Sequence, residues 1–271
     1  MDNFYNKLIK PIRDKCFNDV ITNSKIDVYS PYDKEFSWAE RTIPITEFKN
    51  NTLSYTSEWL IGLDKFPFMY VMNGNSHSLD IIFRKFNNIA FKKNDYLYYS
   101  GWHNYANKPF QELEYPRDVN DIVFTWPGYS NGDNNELEFA LKTNAKRMHL
   151  DCAYLGLVEP KSIDVSNFET VSISFSKTLS IPYNRISILF SKNEISELTL
   201  LNKLGYVNLS GVKLANHIMH NIPLSYWWDT YGHNINNICY KNNLSPTKSI
   251  LFAYKNNSRI SLAPFWNVNQ L

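Results

Sequence analysis

Apolar and polar positions follow two different periods in the central part of the chain. Short apolar runs, of the kind that form strands, occupy residues 68–72, 95–100, 121–125, 147–152, 171–175 and 186–190. After the first run, apolar residues recur at three- and four-residue spacing from Leu79 to Ala90, as on one face of a helix that begins near Ser76. Residues 134–146 show a second helical pattern. Strands separated by helices predict an α/β fold with a mainly parallel central sheet and flanking helices.

The pattern changes after residue 191. Residues 194–204 and 212–221 have helical periodicity, and residues 249–254 and 259–264 read as two strands joined by a turn at residues 255–257. We expect these elements to form a small α+β domain together with the start of the chain. The predicted division is a large α/β domain of residues 56–192 and a small domain of residues 1–55 and 193–271.

Residues that carry chemistry lie at or just past the ends of the predicted strands. Gly74 follows the first strand, Trp102 the second, and Asp151 and Lys177 end two later ones. In open α/β sheets, ligands bind outside the carboxyl ends of the strands. The helix start after Gly74 also offers backbone N–H groups to an anion. A binding site is therefore predicted at this edge of the sheet.

The types of these residues indicate one cofactor. Ser174 precedes Lys177 by three positions, Arg185 follows it by eight, and Tyr154 follows Asp151 by three. A lysine amine can attack an aldehyde covalently and can also move protons. A carboxylate stabilises a protonated ring nitrogen, and an arginine with a hydroxyl suits a phosphate. Together they are what pyridoxal phosphate requires of a protein.

The ordered set also resembles a known family. Asp151-x-Ala-Tyr154, then Ser174-x-x-Lys177, then Arg185, is similar to the core motif of fold-type I pyridoxal-phosphate enzymes, and of class I/II aminotransferases in particular. Residues 72–79 resemble the family's phosphate loop, and residues 100–104 the segment whose aromatic ring stacks on the cofactor. Residues 258–263 resemble the strand whose arginine holds the substrate carboxylate.

This resemblance implies a role for each matching residue. Lys177 would be the Schiff-base lysine, Asp151 the partner of the pyridine nitrogen, and Tyr154 the neighbour of the ring oxygen. Trp102 would stack on the ring, and Arg259 would bind the α-carboxylate of the substrate. The residues that would hold the phosphate are Gly74, Asn75, Ser76, Ser174 and Arg185.

The implied reaction is transamination of an amino acid to a keto acid by a homodimer. Lys177 would move a proton between Cα of the substrate and C4′ of the cofactor. Reactions of lyases, decarboxylases and racemases on the same fold stay open, as does an inactive protein that only binds. The family's asparagine near the ring oxygen has no counterpart, since Tyr129 stands near its place. The ends of the chain are short for the family, so the substrate is left open.

Composition excludes other classes. The formal net charge is only +2, and the sequence has no basic stripe, so no nucleic-acid partner is predicted. Three widely spaced cysteines argue against a disulfide framework and for a reducing compartment. His77, His103 and His149 lack the spacing of zinc ligands, so no metal is predicted. Without an apolar span or a signal peptide, we expect a cytoplasmic protein that does not enter the membrane.

Overall fold

The computed structural model describes residues 11, 12, 14–26 and 38–266. The remaining parts of the predicted small domain, residues 1–10, 13, 27–37 and 267–271, lie outside the described residues. The helices are α1 (Lys15–Asn23), α2 (Trp38–Thr56), α3 (Asn75–Lys85), α4 (Tyr98–Ala106), α5 (Asn135–Lys142), α6 (Ser196–Leu204), α7 (Leu209–Asn221), α8 (Tyr226–Tyr231) and α9 (Ile235–Lys241). The strands are β1 (Leu60–Ile61), β2 (Phe68–Met72), β3 (Ile89–Lys92), β4 (Phe110–Leu113), β5 (Val119–Thr125), β6 (Ala145–Cys152), β7 (Ile163–Asp164), β8 (Thr170–Ser174), β9 (Ser187–Ser191), β10 (Phe252–Lys255) and β11 (Ser258–Ser261).

A seven-stranded sheet in the order β2-β9-β8-β6-β5-β3-β4 forms the centre of the fold. All neighbouring pairs are parallel except those of β9, which runs antiparallel to both β2 and β8. Every residue of β8 and β9 is buried, as expected for strands that are covered on both faces. The structure confirms the predicted α/β fold with a mainly parallel sheet.

The topology brings six strand ends to one edge of the sheet. Because β9 reverses direction, β2 runs parallel to β8, and the carboxyl ends of β2, β3, β4, β5, β6 and β8 share that edge. In the register of the sheet, Thr125 pairs with Asp151, and Ser174 pairs with Ser187. The predicted site residues that follow these strands therefore lie side by side.

The strand predicted over residues 95–100 is wrong. The strand in this region is β3, and the chain turns at Asn94, which has a φ of 64°. Tyr99 is then fully buried, whereas Leu97 and Tyr98 are 57% and 36% exposed. Two exposed residues in a row do not fit the alternating faces of a strand, and the helix α4 begins at Tyr98. The run of tyrosines is compatible with the period of a strand and with that of a helix. The polar turn before it ends β3 and lets a helix begin. The helical pattern predicted to reach Ala90 likewise ends at Lys85, since Ala90 lies in β3.

The C-terminal part contains the predicted hairpin. Strands β10 and β11 pair antiparallel, and the turn between them has positive φ at Asn256 and Asn257, the geometry of a two-residue hairpin turn. The helix predicted over residues 212–221 is the larger part of α7. Asn216 on α7 bonds to Asn51 on α2, so an N-terminal helix packs on this region. The division into two domains stays a prediction.

Among the described residues, no helix is both long and apolar enough to cross a bilayer.

Candidate active site

Asp151 lies at the carboxyl end of β6 and is fully buried. Its Oδ1 accepts a hydrogen bond of 2.5 Å from the Asn75 amide, and its Oδ2 accepts one of 3.2 Å from the Tyr99 hydroxyl. Burial raises the pKa of Asp151 to about 6, although the Tyr99 hydrogen bond, the charge of Lys177 and the Asn75 hydrogen bond each lower it. The result is a carboxylate with fixed orientation that gains from a nearby positive charge.

Lys177 follows the end of β8 and is half-buried. Its Nζ lies 5.1 Å from the centroid of the Tyr154 ring. Burial lowers the pKa of Lys177 to about 8; the charge of Asp151 opposes this shift, and the charges of Arg259 and Arg185 add to it. A lysine with such a pKa has a larger neutral fraction near neutral pH than an ordinary lysine, which favours its use as a nucleophile or proton carrier.

Gly74, Ser76 and Arg185 form an anion cradle at the start of α3. The Arg185 guanidinium donates a hydrogen bond of 2.6 Å to Ser76 Oγ. Gly74 has a φ of +81°, and a Cβ built there would lie 2.7–2.9 Å from the Arg185 guanidinium. Only glycine leaves room for this approach. The cradle combines a helix start, a hydroxyl and an exposed guanidinium, which suits a phosphate.

Three buried polar atoms around these residues have no hydrogen-bond partner among the described residues. They are Asn75 Oδ1, Ser176 Oγ and Arg259 Nε. Buried polar atoms are normally paired, so a cluster of unpaired ones is expected where a polar ligand completes the set. Pyridoxal phosphate fits, because the cradle matches its phosphate, Asp151 its ring nitrogen and Lys177 its aldehyde.

Phenols line the space between these groups. Tyr154 is buried, and its ring lies 6.4 Å from that of Tyr129. The Tyr129 ring in turn lies 5.3 Å from that of Tyr96. Arg259 Nη2 donates a hydrogen bond of 3.2 Å to the Tyr154 hydroxyl. The structure thus brings Arg259, more than a hundred residues later in the chain, to Tyr154. Its binding of a substrate carboxylate stays a prediction.

Trp102 is placed differently from these residues. It lies three residues beyond Tyr99 on α4, is half-buried, and packs against the apolar cluster that includes Leu79 and Phe83. Its stacking on a cofactor ring stays a prediction. Ser174 is buried at the end of β8, and its contact with a phosphate likewise stays a prediction.

Sequence reasoning missed Tyr96, Tyr99 and Ser176. The two tyrosines were read as part of a strand, whereas the buried Tyr99 donates to Asp151 from the first turn of α4. Ser176, directly before Lys177, is 7% exposed with an unpaired hydroxyl. A signal for Ser176 was available in its position, since it lies between two residues of the motif. Within the described residues, no group of three or more His, Cys, Asp or Glu side chains is arranged for a metal ion.

Solved structures with this fold were found by comparison, whereas neither a protein-family model nor the sequence of a curated protein matches the chain. L-threonine-O-3-phosphate decarboxylase from Porphyromonas gingivalis gives a TM-score of 0.65 at 13% identity, covering 91% of this chain and 80% of that one. The PLP-bound C-S lyase from Staphylococcus hominis gives 0.61 at 12%, covering 91% and 73%. An aminotransferase from Mycobacterium tuberculosis gives 0.59 at 14%, covering 92% and 78%. At these identities the likeness shows the fold, and the chain has the fold of these three enzymes.

Proposed function

We propose that this chain, which has the fold-type I architecture, is a pyridoxal-phosphate-dependent enzyme that acts on an amino acid. The observation that carries the proposal is the convergence of Lys177 and Asp151 beside Tyr154, next to the anion cradle of Gly74, Ser76 and Arg185. Each group is matched to one part of the cofactor, and buried polar atoms of Asn75, Ser176 and Arg259 have no partner among the described residues.

The residues that would hold the cofactor divide by function. The cradle would hold the phosphate, with Asn75, Ser174 and Ser176 beside it. Asp151 would face the ring nitrogen, Tyr154 the ring oxygen, and Lys177 would attach covalently to the aldehyde. When bound, pyridoxal phosphate supplies an electron sink for the bonds around Cα of an amino acid.

The chain's own residues would then orient the substrate and move one proton. Lys177, once released, has an amine whose pKa of about 8 suits proton transfer near neutral pH. It would carry a proton from Cα of the substrate, and returning that proton at C4′ of the cofactor makes the reaction a transamination. Arg259 would hold the α-carboxylate, since its Nε has no partner among the described residues. An amino acid would give a keto acid.

Two further reactions have specific support. The solved structures with this fold include a decarboxylase and a C-S lyase, so loss of carbon dioxide or elimination is the second candidate. These reactions use the same lysine and carboxylate, and they differ in which bond at Cα or Cβ breaks.

We also propose that the protein is a homodimer and that it acts in the cytoplasm.

The visible absorption spectrum of the purified protein tests this proposal. Adding pyridoxal phosphate should produce a visible band, and reduction with borohydride should then fix the cofactor's mass on the peptide that contains Lys177. Adding amino acids should change the band and release a keto acid for transamination, carbon dioxide for decarboxylation, or a thiol for C-S elimination. A protein that takes up no cofactor would support a binding protein without this chemistry.

Replacing Gly74 with alanine is expected to weaken the binding of pyridoxal phosphate by about tenfold or more, the loss of one charge-assisted contact. The new Cβ would lie 2.7–2.9 Å from the Arg185 guanidinium and would displace it from Ser76. The positive φ of Gly74 adds backbone strain. Gly101→Ala is the control, since Gly101 is in helix α4 with nothing within 4 Å of its built Cβ. Spectroscopic titration with pyridoxal phosphate measures both; equal affinities would contradict the assigned cradle.

A further inference from the structure

Arg259 lies against aromatic rings from two different parts of the chain. The centroid of the Phe252 ring is 3.6 Å from its guanidinium carbon, and that of the Tyr129 ring is 4.1 Å away. Both are stacking distances for a flat cation. The ring of Tyr154 follows at 5.5 Å. Phe252 is fully buried, so the guanidinium rests on a fixed wall.

The backbone around these rings is tied together. Arg259 is the cross-strand partner of Tyr254 in the β10–β11 hairpin. The Tyr254 hydroxyl donates a hydrogen bond of 2.6 Å to the carbonyl oxygen of Ser130, the residue after Tyr129. The Tyr129 N–H itself donates to Thr125 Oγ1 at the end of β5. The hairpin and the loop after β5 thus hold the two rings in register with Arg259.

Some donor atoms of Arg259 remain available beside these rings. Guanidinium N–H groups lie in the plane of the cation, so rings stacked on it do not use them. Nη2 donates to the Tyr154 hydroxyl, and the buried Nε has no partner among the described residues. None of the carboxylates that the structure describes forms a salt bridge with Arg259. A planar carboxylate that meets this edge can accept two parallel N–H bonds.

We propose that Phe252 and Tyr129 form an aromatic cage that presents the edge of Arg259 to a carboxylate. The inference rests on the proposed function, which already gives Arg259 the substrate carboxylate, and deepens it by naming the residues that hold Arg259 in place. Phe252 and Tyr129 act through Arg259 and are positioning residues. Tyr129 stands near the place of the family's asparagine, so the cage also gives a role to a position where this chain departs from the family.

Calorimetric titration with propionate, a carboxylate without an amine, tests the cage. Phe252→Leu and Tyr129→Leu remove a ring and keep an apolar side chain, so propionate affinity should fall about 2–30-fold, the range of a cation–π contact. Tyr129→Phe keeps the ring and removes only the interaction of the hydroxyl with Arg259, so its loss of affinity should be smaller than that of Tyr129→Leu. Phe190→Leu removes a buried ring from β9 and should leave propionate affinity unchanged. Titration with n-propylamine should show no difference among the variants.

Each readout separates the cage from the proposed function. Titrations are made on cofactor-free and cofactor-loaded protein, and uptake of pyridoxal phosphate is followed independently by absorbance. If the wild type takes up no cofactor but Phe252→Leu still weakens propionate binding, the cage is supported and the proposed function is contradicted. Unchanged propionate affinity in both leucine variants, an equal loss in Phe190→Leu, or no propionate binding to the wild type would overturn the cage. Amino acid KM should rise in Phe252→Leu with kcat little changed.

Discussion

A variant with Lys177 replaced by alanine is expected to lose covalent attachment of pyridoxal phosphate and to lose turnover by about 10²–10⁴-fold, the range of a positioned general acid–base group. Lys177 is the amine that approaches Tyr154 and interacts with the charge of Asp151. Alanine has neither a nucleophile nor a proton carrier. The cradle is untouched, so the variant should still bind pyridoxal phosphate without a covalent link.

Borohydride reduction followed by peptide mass mapping measures the attachment, and release of keto acid measures turnover. Lys142→Ala is the matched control, since Lys142 is exposed in the last turn of α5 and should behave as the wild type. Thermal unfolding of the variant shows whether the fold survives. Attachment at a different lysine with full turnover in Lys177→Ala would contradict the assignment.

The parts of the site that the sequence predicted are local in the chain. Residues 68–72 are a continuous apolar run between turn residues, and β2 has those bounds. Lys177 follows the end of a similar run, and its spacing in the sequence from Ser174 and Arg185 is read directly from the chain. Because strand ends in a parallel sheet meet at one edge, the predicted strands were enough to bring Gly74, Asp151 and Lys177 together.

The contacts that the sequence did not predict join distant segments of the chain. Asn75 and Tyr99 both reach Asp151, across 76 and 52 residues of chain. No local pattern shows which side chain will meet a given carboxylate. The tyrosine run around Tyr99 also fits two periods, and its helix was decided by the turn at Asn94 and by burial against the sheet. Packing against the rest of the fold therefore determined the helix around Tyr99, which the residue types alone did not.

Replacing Asp151 with asparagine is expected to lower turnover by about 10²–10³-fold, the range for loss of one preorganised charge at a reacting centre. An amide keeps the size of the side chain and carries no charge to favour a protonated ring nitrogen. The new amide offers one oxygen acceptor where the carboxylate offers two. Rotation of the Asn75 amide, whose Oδ1 has no partner among the described residues, lets it accept from the new N–H group, so the fold should be preserved. Asp164→Asn, at an exposed carboxylate on β7, is the control.

The same variant has a pH signature in the absence of substrate. Capture of pyridoxal phosphate needs the neutral amine of Lys177, so the capture rate of the wild type should rise with pH to a plateau, with a midpoint near the pKa of about 8. The negative charge of Asp151 raises the pKa of Lys177, so asparagine should move that midpoint below 8. Since burial raises the pKa of Asp151 to about 6, its charge is present only above that pH, and the two proteins should differ there. Stopped-flow measurement of the visible band gives both curves. A midpoint and a turnover rate in Asp151→Asn equal to those of Asp164→Asn would show that Asp151 does not act on Lys177 or on the ring.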